Sequence, residues 1–541
     1  MSDKELLRGS SQTSSIYLKS NFLECFQFAL NQYREREIFV FYDNRNHRTS
    51  VTFAKLEKDI RAAILQIQRK EAAPQSVVVV LSRNSYEFAV FALATLLSGR
   101  TLCPMNPDDH LTRIQKKIAA LGEPSTLWHQ PEDRIEFAAL DGHDMSIDLN
   151  FQGHAEFVPF PRDRAMILIF TSGSQGESKI VEQMENSLLT NIDALIERHQ
   201  LQSRKVLATP LPLFHVNALE FSFLSCLLSG SQFILLESFL LPQVLQVMQD
   251  ENCQILSVIP VLLRKLWENR GEWKRYQLTS FQYFVSAAAP LSTELVRAIR
   301  HDLGRQIIQG YGLSEAINFS CLMPTHLADA DFLHWMTSEK SPSIGTPLRG
   351  TEVLVLDSHG EVQGEGAPGE ICIRGPTVMR GYRGGNSPQV FAHEALHTGD
   401  LGYFRQAQNG DKYFFISGRA KEIAKRYGMT VSLREIDEVL SLFAWPEFDA
   451  IAVPFANNWA GEEVAIVATD LASWSPALET QLQTHLENQL PSFLRPRLIL
   501  RTHEALRTPS GKPCRWKFFA AAGAFREAAF GQSLQFVKME P

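Results

Sequence analysis

Apolar and polar positions alternate along this chain in a repeating unit. Continuous apolar runs of strand length, such as SVVVVL from residue 76 and AMILIF from residue 165, stop at Ser, Thr, Gly or Pro. Such runs, closed by turn residues, predict strands buried on both faces. The same unit recurs in TLCPMNP, VLATPLPLFH, QFILLES, QILSVIP, FQYFVSAAAP and RQIIQGYG. Between these runs lie stretches with helical spacing, among them LPQVLQVMQDEN and STELVRAIRHDLG, and YEFAVFALATLLSG reads as a helix closed by Gly99. Strand, helix and strand joined by short connections predict an α/β fold of doubly wound sheets.

The pattern changes twice further along. After about residue 340 come short strands with Gly-rich turns, as in TEVLVLDSHGEVQGEGAPGEICIRGP, which predicts a small β subdomain. After Gly418 helices (SLREIDEVLSLF, PALETQLQTHLENQL) mix with strands (DAIAVPF, EEVAIVATD), the composition of a small α+β domain. The expected division is therefore 1–417 for a large N-terminal domain and 418–541 for a small C-terminal one. Residues 124–163 read as a polar, irregular connection, and the polar start, MSDKELLRGSSQTSS, as a loosely ordered leader lacking the apolar core of a signal peptide.

Composition narrows the classes. With 541 residues and 45% apolar content the chain can bury a large core. A formal net charge of -7 leaves no basic stripe to argue for nucleic acid. The apolar stretches FAVFALATLL and ALEFSFLSCLL read as buried helices too short to span a bilayer, so no membrane span is expected. Seven cysteines are scattered without a CxxC pair, which points to reduced thiols in a cytoplasmic protein and away from a disulfide framework or a zinc site.

The chemistry concentrates where the run AMILIF empties into FTSGSQGESK, Phe170 to Lys179. The carboxyl end of a strand is where an open α/β sheet holds ligands. Gly173 and Gly176 permit close backbone approach, Thr171, Ser172 and Ser174 add hydroxyls, and Lys179 adds a cation. Those donors suit a polyphosphate, and equally a polar surface loop. The Walker spacing fails, because Ser178 stands where the second Gly belongs. Further candidates are SAAAPL (residues 286–291), QGYGLSEA (309–316) with a carboxylate at Glu315, HTGDLGYF (397–404) with Asp400, and RTPSGKPCR (507–515) with Lys512 after a turn. Singly, each has a bland reading as a strand end, a turn or a solvated lysine.

Taken in chain order, these segments and SGRAKEIAKRYGMTVSLREIDEVL (417–440) resemble the adenylate-forming superfamily: acyl- and aryl-CoA synthetases, adenylation domains of nonribosomal peptide synthesis, and luciferases. The family's loop, TSG(S/T)TGxPKG after an aromatic residue, is met with Gln175, Ser178 and Ile180 as departures. The resemblance implies a nucleotide site of Thr171, Ser172, Gly173, Ser174, Gln175, Gly176 and Lys179, with Ala287 and Ala288 as a shelf beside adenine. It adds Gly310, Tyr311, Gly312 and Ser314 to the ATP site, with the Tyr311 ring against the purine, Glu315 on Mg2+, Asp400 on the ribose hydroxyls and Arg419 on ribose or phosphate.

It further implies a hinge at Lys421, a catalytic Lys512 on a mobile C-terminal domain, and a thiol channel at Lys425 and Gly428. PLFHVNALEFS matches the element that opens the acyl pocket, with His215 near the carboxylate or else a core histidine, and with Asn217 and Ala289 on the pocket wall. Amino-acid-activating relatives place Asp thirteen residues before the Gly equivalent to Gly230; here that residue is Asn217, which cannot offset an ammonium.

The implied activity is ATP-dependent activation of a small acyl or aryl acid as acyl-AMP and its transfer to a thiol, with Mg2+ as cofactor. CoA is the expected acceptor, and a basic face of Lys425 and Arg426 would suit its 3'-phosphate. The alternatives are a phosphopantetheinyl carrier protein as acceptor, and a nucleotide-binding protein without activity, against which Glu315, Asp400, Arg419 and Lys512 speak.

Overall fold

Four β-sheets carry the architecture of the computed structural model, which describes residues 20–541 apart from 71–75, 110, 134–139, 141, 146, 148–154, 172–178, 290, 386–389, 420–422, 427–428, 459, 491, 493, 509–510, 529–533 and 540–541.

In the seven-stranded sheet, Val77–Leu81 is buried along its whole length and runs parallel to Leu102–Met105 on one side and Ser125–His129 on the other. The helix between the first two, Tyr86–Leu97, starts where the Ser85 side chain accepts from Phe88 N and ends before Gly99 at φ 71. Ser125–His129 lies inside the stretch read from sequence as irregular. It is a correction: STLWH is short and half polar, and its pairing with Val77–Leu81 makes it a strand.

The nine-stranded sheet repeats the design. Gln306–Tyr311, Tyr283–Ser286, Ile255–Val258, Val206–Thr209, Gln232–Leu236 and Glu37–Tyr42 lie side by side, all parallel, with Arg48–Thr52 antiparallel at one edge. Their carboxyl ends therefore point one way. One apolar core, with Phe26, Phe39, Phe91, Phe221 and Phe284 fully buried, joins the two sheets. The small β subdomain is the antiparallel four-stranded sheet Glu352–Leu356, Gly369–Arg374, Leu396–Gln406 and Lys412–Arg419.

One helix departs from expectation. ALEFSFLSCLL splits into a π-helix, Asn217–Leu224, and an α-helix, Ser225–Ser229. Ser225 N reaches the Glu220 carbonyl five residues back, and the Ser222 and Ser225 hydroxyls bond the Asn217 and Glu220 carbonyls at 3.3 and 3.0 Å. Hydroxyls on the main-chain carbonyls widen the turn, and π-turns of this kind cluster at functional sites.

From Ala424 onward the chain has cores of its own on both faces of a six-stranded sheet. Ile436, Leu482 and Leu486 cover one face and Leu506, Phe518 and Ala522 the other. Polar contacts join it to the four-stranded sheet side: Arg434 Nη1 donates to the Ile416 carbonyl at 3.0 Å and Lys340 faces Glu435 at 3.6 Å. Among the described residues no helix is long and apolar enough to cross a membrane.

Candidate functional site

Thr171 ends the strand Ile167–Thr171 and is paired in register with Lys179, which opens the antiparallel return strand Lys179–Gln183. The segment between them, with Ser172, Gly173, Ser174, Gln175 and Gly176, lies outside the described residues. Lys179 Nζ stands 4.5 Å from the Tyr382 ring centroid, and the Tyr382 hydroxyl donates to Glu315 Oε1 at 2.9 Å. Burial and the Glu315 charge push the Tyr382 phenol up, so it remains a donor. The loop's cation and the predicted metal carboxylate thus meet on one tyrosine.

Glu315 is half-buried on a single 3-10 turn, Ser314–Ala316, just past the strand Gln306–Tyr311. The chain doubles back so tightly here that a Cβ on Gly312 would fall 1.5 Å from the Asn318 carbonyl oxygen, and one on Gly310 would fall 2.3 Å from the Phe319 ring. Ile317, at φ 68 and ψ -85, holds a backbone conformation that a β-branched residue rarely adopts. Gln183 brackets the turn, its Nε2 donating to the Ser314 carbonyl at 3.0 Å and to the Ile317 carbonyl at 3.3 Å.

Tyr311 is half-buried, and its hydroxyl donates to Asp400 Oδ2 at 2.7 Å. The turn before Asp400 is braced from the neighbouring strand: Glu370 accepts from Gly399 N at 2.8 Å and lies 2.8 Å from His397 Nδ1. Cys372 completes a cluster whose ligand atoms all fall within 4.8 Å. Because His397 and Glu370 already engage each other, Ala392 and Gly399, the cluster is a hydrogen-bonded brace.

The shelf forms beyond the strand Tyr283–Ser286: Ala287 is buried, Ala288 is exposed at φ 70 and Ala289 is half-buried. Asn217 opens the π-helix, and its Oδ1 lies 2.9 Å from Ser257 Oγ on the strand Ile255–Val258, the neighbour of Tyr283–Ser286. His215 keeps an exposed surface even though protein surrounds most of it. Burial first, then the Lys512 and Lys117 charges, push its pKa down to about 4, so the imidazole is neutral at pH 7.

Lys512 arrives from the six-stranded sheet's region. Gly511, at φ 83, turns the chain, Thr508 N bonds the Lys512 carbonyl at 2.8 Å, and the Lys512 side chain is exposed at the tip. The lysine and the histidine, distant in sequence, are electrostatic neighbours. Sequence reasoning missed Lys117 and Asp109. They form a largely buried ion pair whose charges reach His215, with Lys117 5.3 Å from the Phe170 ring centroid. LTRIQKKI carries no signal for this, reading as an ordinary amphipathic helix.

Arg419 is the register partner of Asp400 through the main chain. Lys425 lies in the strand Ile423–Arg426, and the side chains of Arg419 and Lys425 fall outside the described residues, as do Lys421 and Gly428 entirely. Arg426 is a correction. It is 2% exposed, paired with Glu463 and donating to the Arg495 carbonyl, so it offers no cation to a surface groove.

The donor set fits a hard cation and a nucleotide. Glu315 presents a carboxylate with one oxygen on Tyr382 and no further hydrogen bond among the described residues, the ligand type Mg2+ takes. Tyr311 offers a ring face beside a carboxylate at Asp400, which suits a nucleoside.

The family model described as AMP-binding enzyme matches residues 26–383. The chain is 30% identical over 494 residues to 4-coumarate-CoA ligase 2 of Narcissus pseudonarcissus, covering 83% of each chain. It is 29% identical over 516 residues to 4-coumarate–CoA ligase 2 of Oryza sativa subsp. japonica, covering 87% of this chain and 88% of that one. In fold it is similar to o-succinylbenzoate CoA synthetase of Bacillus subtilis, solved with the acyl-adenylate intermediate, at a TM-score of 0.78 and 19% identity over 94% of this chain and 98% of that one.

Proposed function

The chain belongs to the AMP-binding enzyme family, and from that membership we propose that it is an ATP-dependent acid–thiol ligase of the acyl-CoA synthetase type. A carboxylate oxygen attacks the α-phosphorus of ATP, pyrophosphate leaves, and an acyl-adenylate remains. The thiol of CoA then attacks the acyl carbon and AMP leaves. The observation that carries this reading is the Glu315 carboxylate bonded to Tyr382, against whose ring Lys179 stands, together with the Tyr311 hydroxyl on Asp400; the Lys512 charge, felt at His215, supports it.

Two anions meet in the first step, so the site has to offset their repulsion. The Lys512 ammonium would lie between carboxylate and α-phosphate, and Lys179 with the Ser- and Gly-rich segment before it would hold the remaining phosphates. Mg2+ on Glu315 would neutralise phosphate charge as a Lewis acid. The neutral His215 ring adds no competing cation beside the acid and presents an imidazole to the carboxylate. Asp400, joined to Tyr311, would accept from the ribose, and Ala287 and Ala288 would edge the adenine.

For the second step we assign residues 418–541 as a mobile body turning at Lys421 against residues 1–417. Lys512 then leaves, and the Lys425 and Gly428 segment enters to line the thiol channel. CoA as the acceptor is supported by the names of the two plant relatives, both CoA ligases. Asn217 and Ala289 bound the acyl pocket, and the neutral amide favours acyl or aryl acids over amino acids. A reducing compartment such as the cytoplasm is supported by seven cysteines that are all buried and in no disulfide.

The test is acid-dependent pyrophosphate release, screened over aryl and acyl acids and repeated with CoA and with a carrier protein. Release with at least one acid, followed by a CoA thioester, is expected. Nucleotide binding with no release for any acid would overturn the ligase reading.

A further inference from the structure

Glu220 sits on the π-helix three residues past Asn217, is 0% exposed, and among the described residues neither of its carboxyl oxygens has a donor in hydrogen-bond geometry. Burial pushes its pKa well above the usual carboxylate range, and no charged group faces it to pull it back. Its polar neighbour is Gln183, also 0% exposed, with which its side chain makes contact. The Gln183 amide sends its N–H bonds to Ser314 and Ile317, which leaves Gln183 Oε1 buried without a donor among the described residues. Two neighbouring buried side chains thus hold only acceptors for each other, and a proton on Glu220 shared with Gln183 Oε1 would satisfy both.

We propose that Glu220 is a positioning residue for the adenylation step: as the neutral acid it donates to Gln183 Oε1 and anchors the amide that holds the Ser314–Ile317 turn, and with it Glu315. The turn needs such an anchor, because Ile317 holds a backbone conformation that its side chain disfavours. Glu220 touches no substrate; it acts through Gln183. The chain Glu220, Gln183, Glu315 also ties the helix of the acyl pocket to the metal carboxylate. This inference rests on the reading of Glu315 as the Mg2+ ligand.

The test compares Glu220→Gln, which keeps a donor and is neutral, with Glu220→Met, which keeps the volume and has neither. Glu220→Gln is expected to match the wild type. In Glu220→Met the Mg2+ concentration for half-maximal pyrophosphate release is expected to rise by about tenfold or more, as for lost outer-shell partners of a metal ligand. Thioester formation from supplied acyl-adenylate should be unchanged. An unchanged Mg2+ requirement in Glu220→Met would overturn the proposal, and so would a Glu220→Gln enzyme as impaired as Glu220→Met.

Should Glu220→Met not fold, the infrared difference between wild type and Glu220→Gln at pH 7 decides. It should contain the carbonyl stretch of a protonated carboxylic acid, and its absence overturns the proposal. A wild type that releases no pyrophosphate with any acid would overturn this inference together with the ligase reading, whereas an active wild type with an indifferent Glu220→Met overturns this inference alone.

Discussion

The Tyr311 hydroxyl donates to Asp400 Oδ2 at 2.7 Å, joining the carboxyl end of the nine-stranded sheet to the four-stranded sheet. The bond aims the carboxylate and fixes the ring that would cover the purine. A hydrogen bond to a charged group is worth about 1.5–3 kcal/mol, so Tyr311→Phe is expected to raise the KM for ATP by about tenfold or more. The KM for the acid should stay near its wild-type value. Steady-state pyrophosphate release decides it, and an unchanged KM for ATP would remove Asp400 from the nucleotide site.

Lys512 and His215 can be tested against each other without substrate. The Lys512 charge lowers the His215 pKa, and burial lowers it more. Lys512→Ala should therefore raise the His215 pKa from about 4 while leaving it below 6.5. An NMR titration of the ring measures this, and no movement would mean that the lysine does not visit the cleft. The same variant is expected to lose about a hundredfold or more in pyrophosphate exchange, the usual cost of an aimed charge. Thioester formation from supplied acyl-adenylate should persist.

Legibility followed the range of the interactions. Val77–Leu81 could be read because burial on both faces leaves a continuous apolar run. The turn at Gly310 and Gly312 was legible as a motif, though the reason for its glycines, the return of Asn318 and Phe319, needed coordinates. Ser125–His129 was missed because a short, mixed segment becomes a strand only through its partner. Arg426 was misplaced, and Glu220 passed over, for the same reason. Arg426 stands in a basic stretch yet is buried against Glu463, and Glu220 stands in an apolar stretch yet meets Gln183. A one-dimensional pattern carries periodicity and turn chemistry, while the partner of a buried charge comes from distant chain.

Acid sensitivity should trace in part to His199. Its ring is fully buried between Phe221 and Tyr283, its Nε2 has no hydrogen bond among the described residues, and burial lowers its pKa to about 3. An unfolded histidine takes a proton near pH 6.5. As pH falls from about 6.5 towards 3 the unfolded state binds that proton first, so stability is full above this window and declines through it. His199→Phe keeps a ring and removes the titration. Its denaturation midpoint should fall less between pH 7 and pH 5 than that of the wild type, in urea titrations at each pH. Parallel curves would clear His199 of the effect.

Asn217 gives a prediction on specificity. Its Oδ1 lies 2.9 Å from Ser257 Oγ, which fixes the amide at the start of the π-helix, where the proposed acyl pocket would open. Asn217→Asp places a carboxylate close to where the substrate's own carboxylate must settle, and like charges in a desolvated site disfavour each other. The expected result is a raised KM for uncharged acyl and aryl acids, with the KM for ATP unchanged. Asn217→Leu removes the amide without adding charge, so it should spare apolar acids and weaken those that carry a polar group for the amide to bond. The two variants separate charge from hydrogen bonding: if Asp and Leu raise the KM equally for every acid, the residue acts only by filling space, and the neutral amide is not what keeps amino acids out.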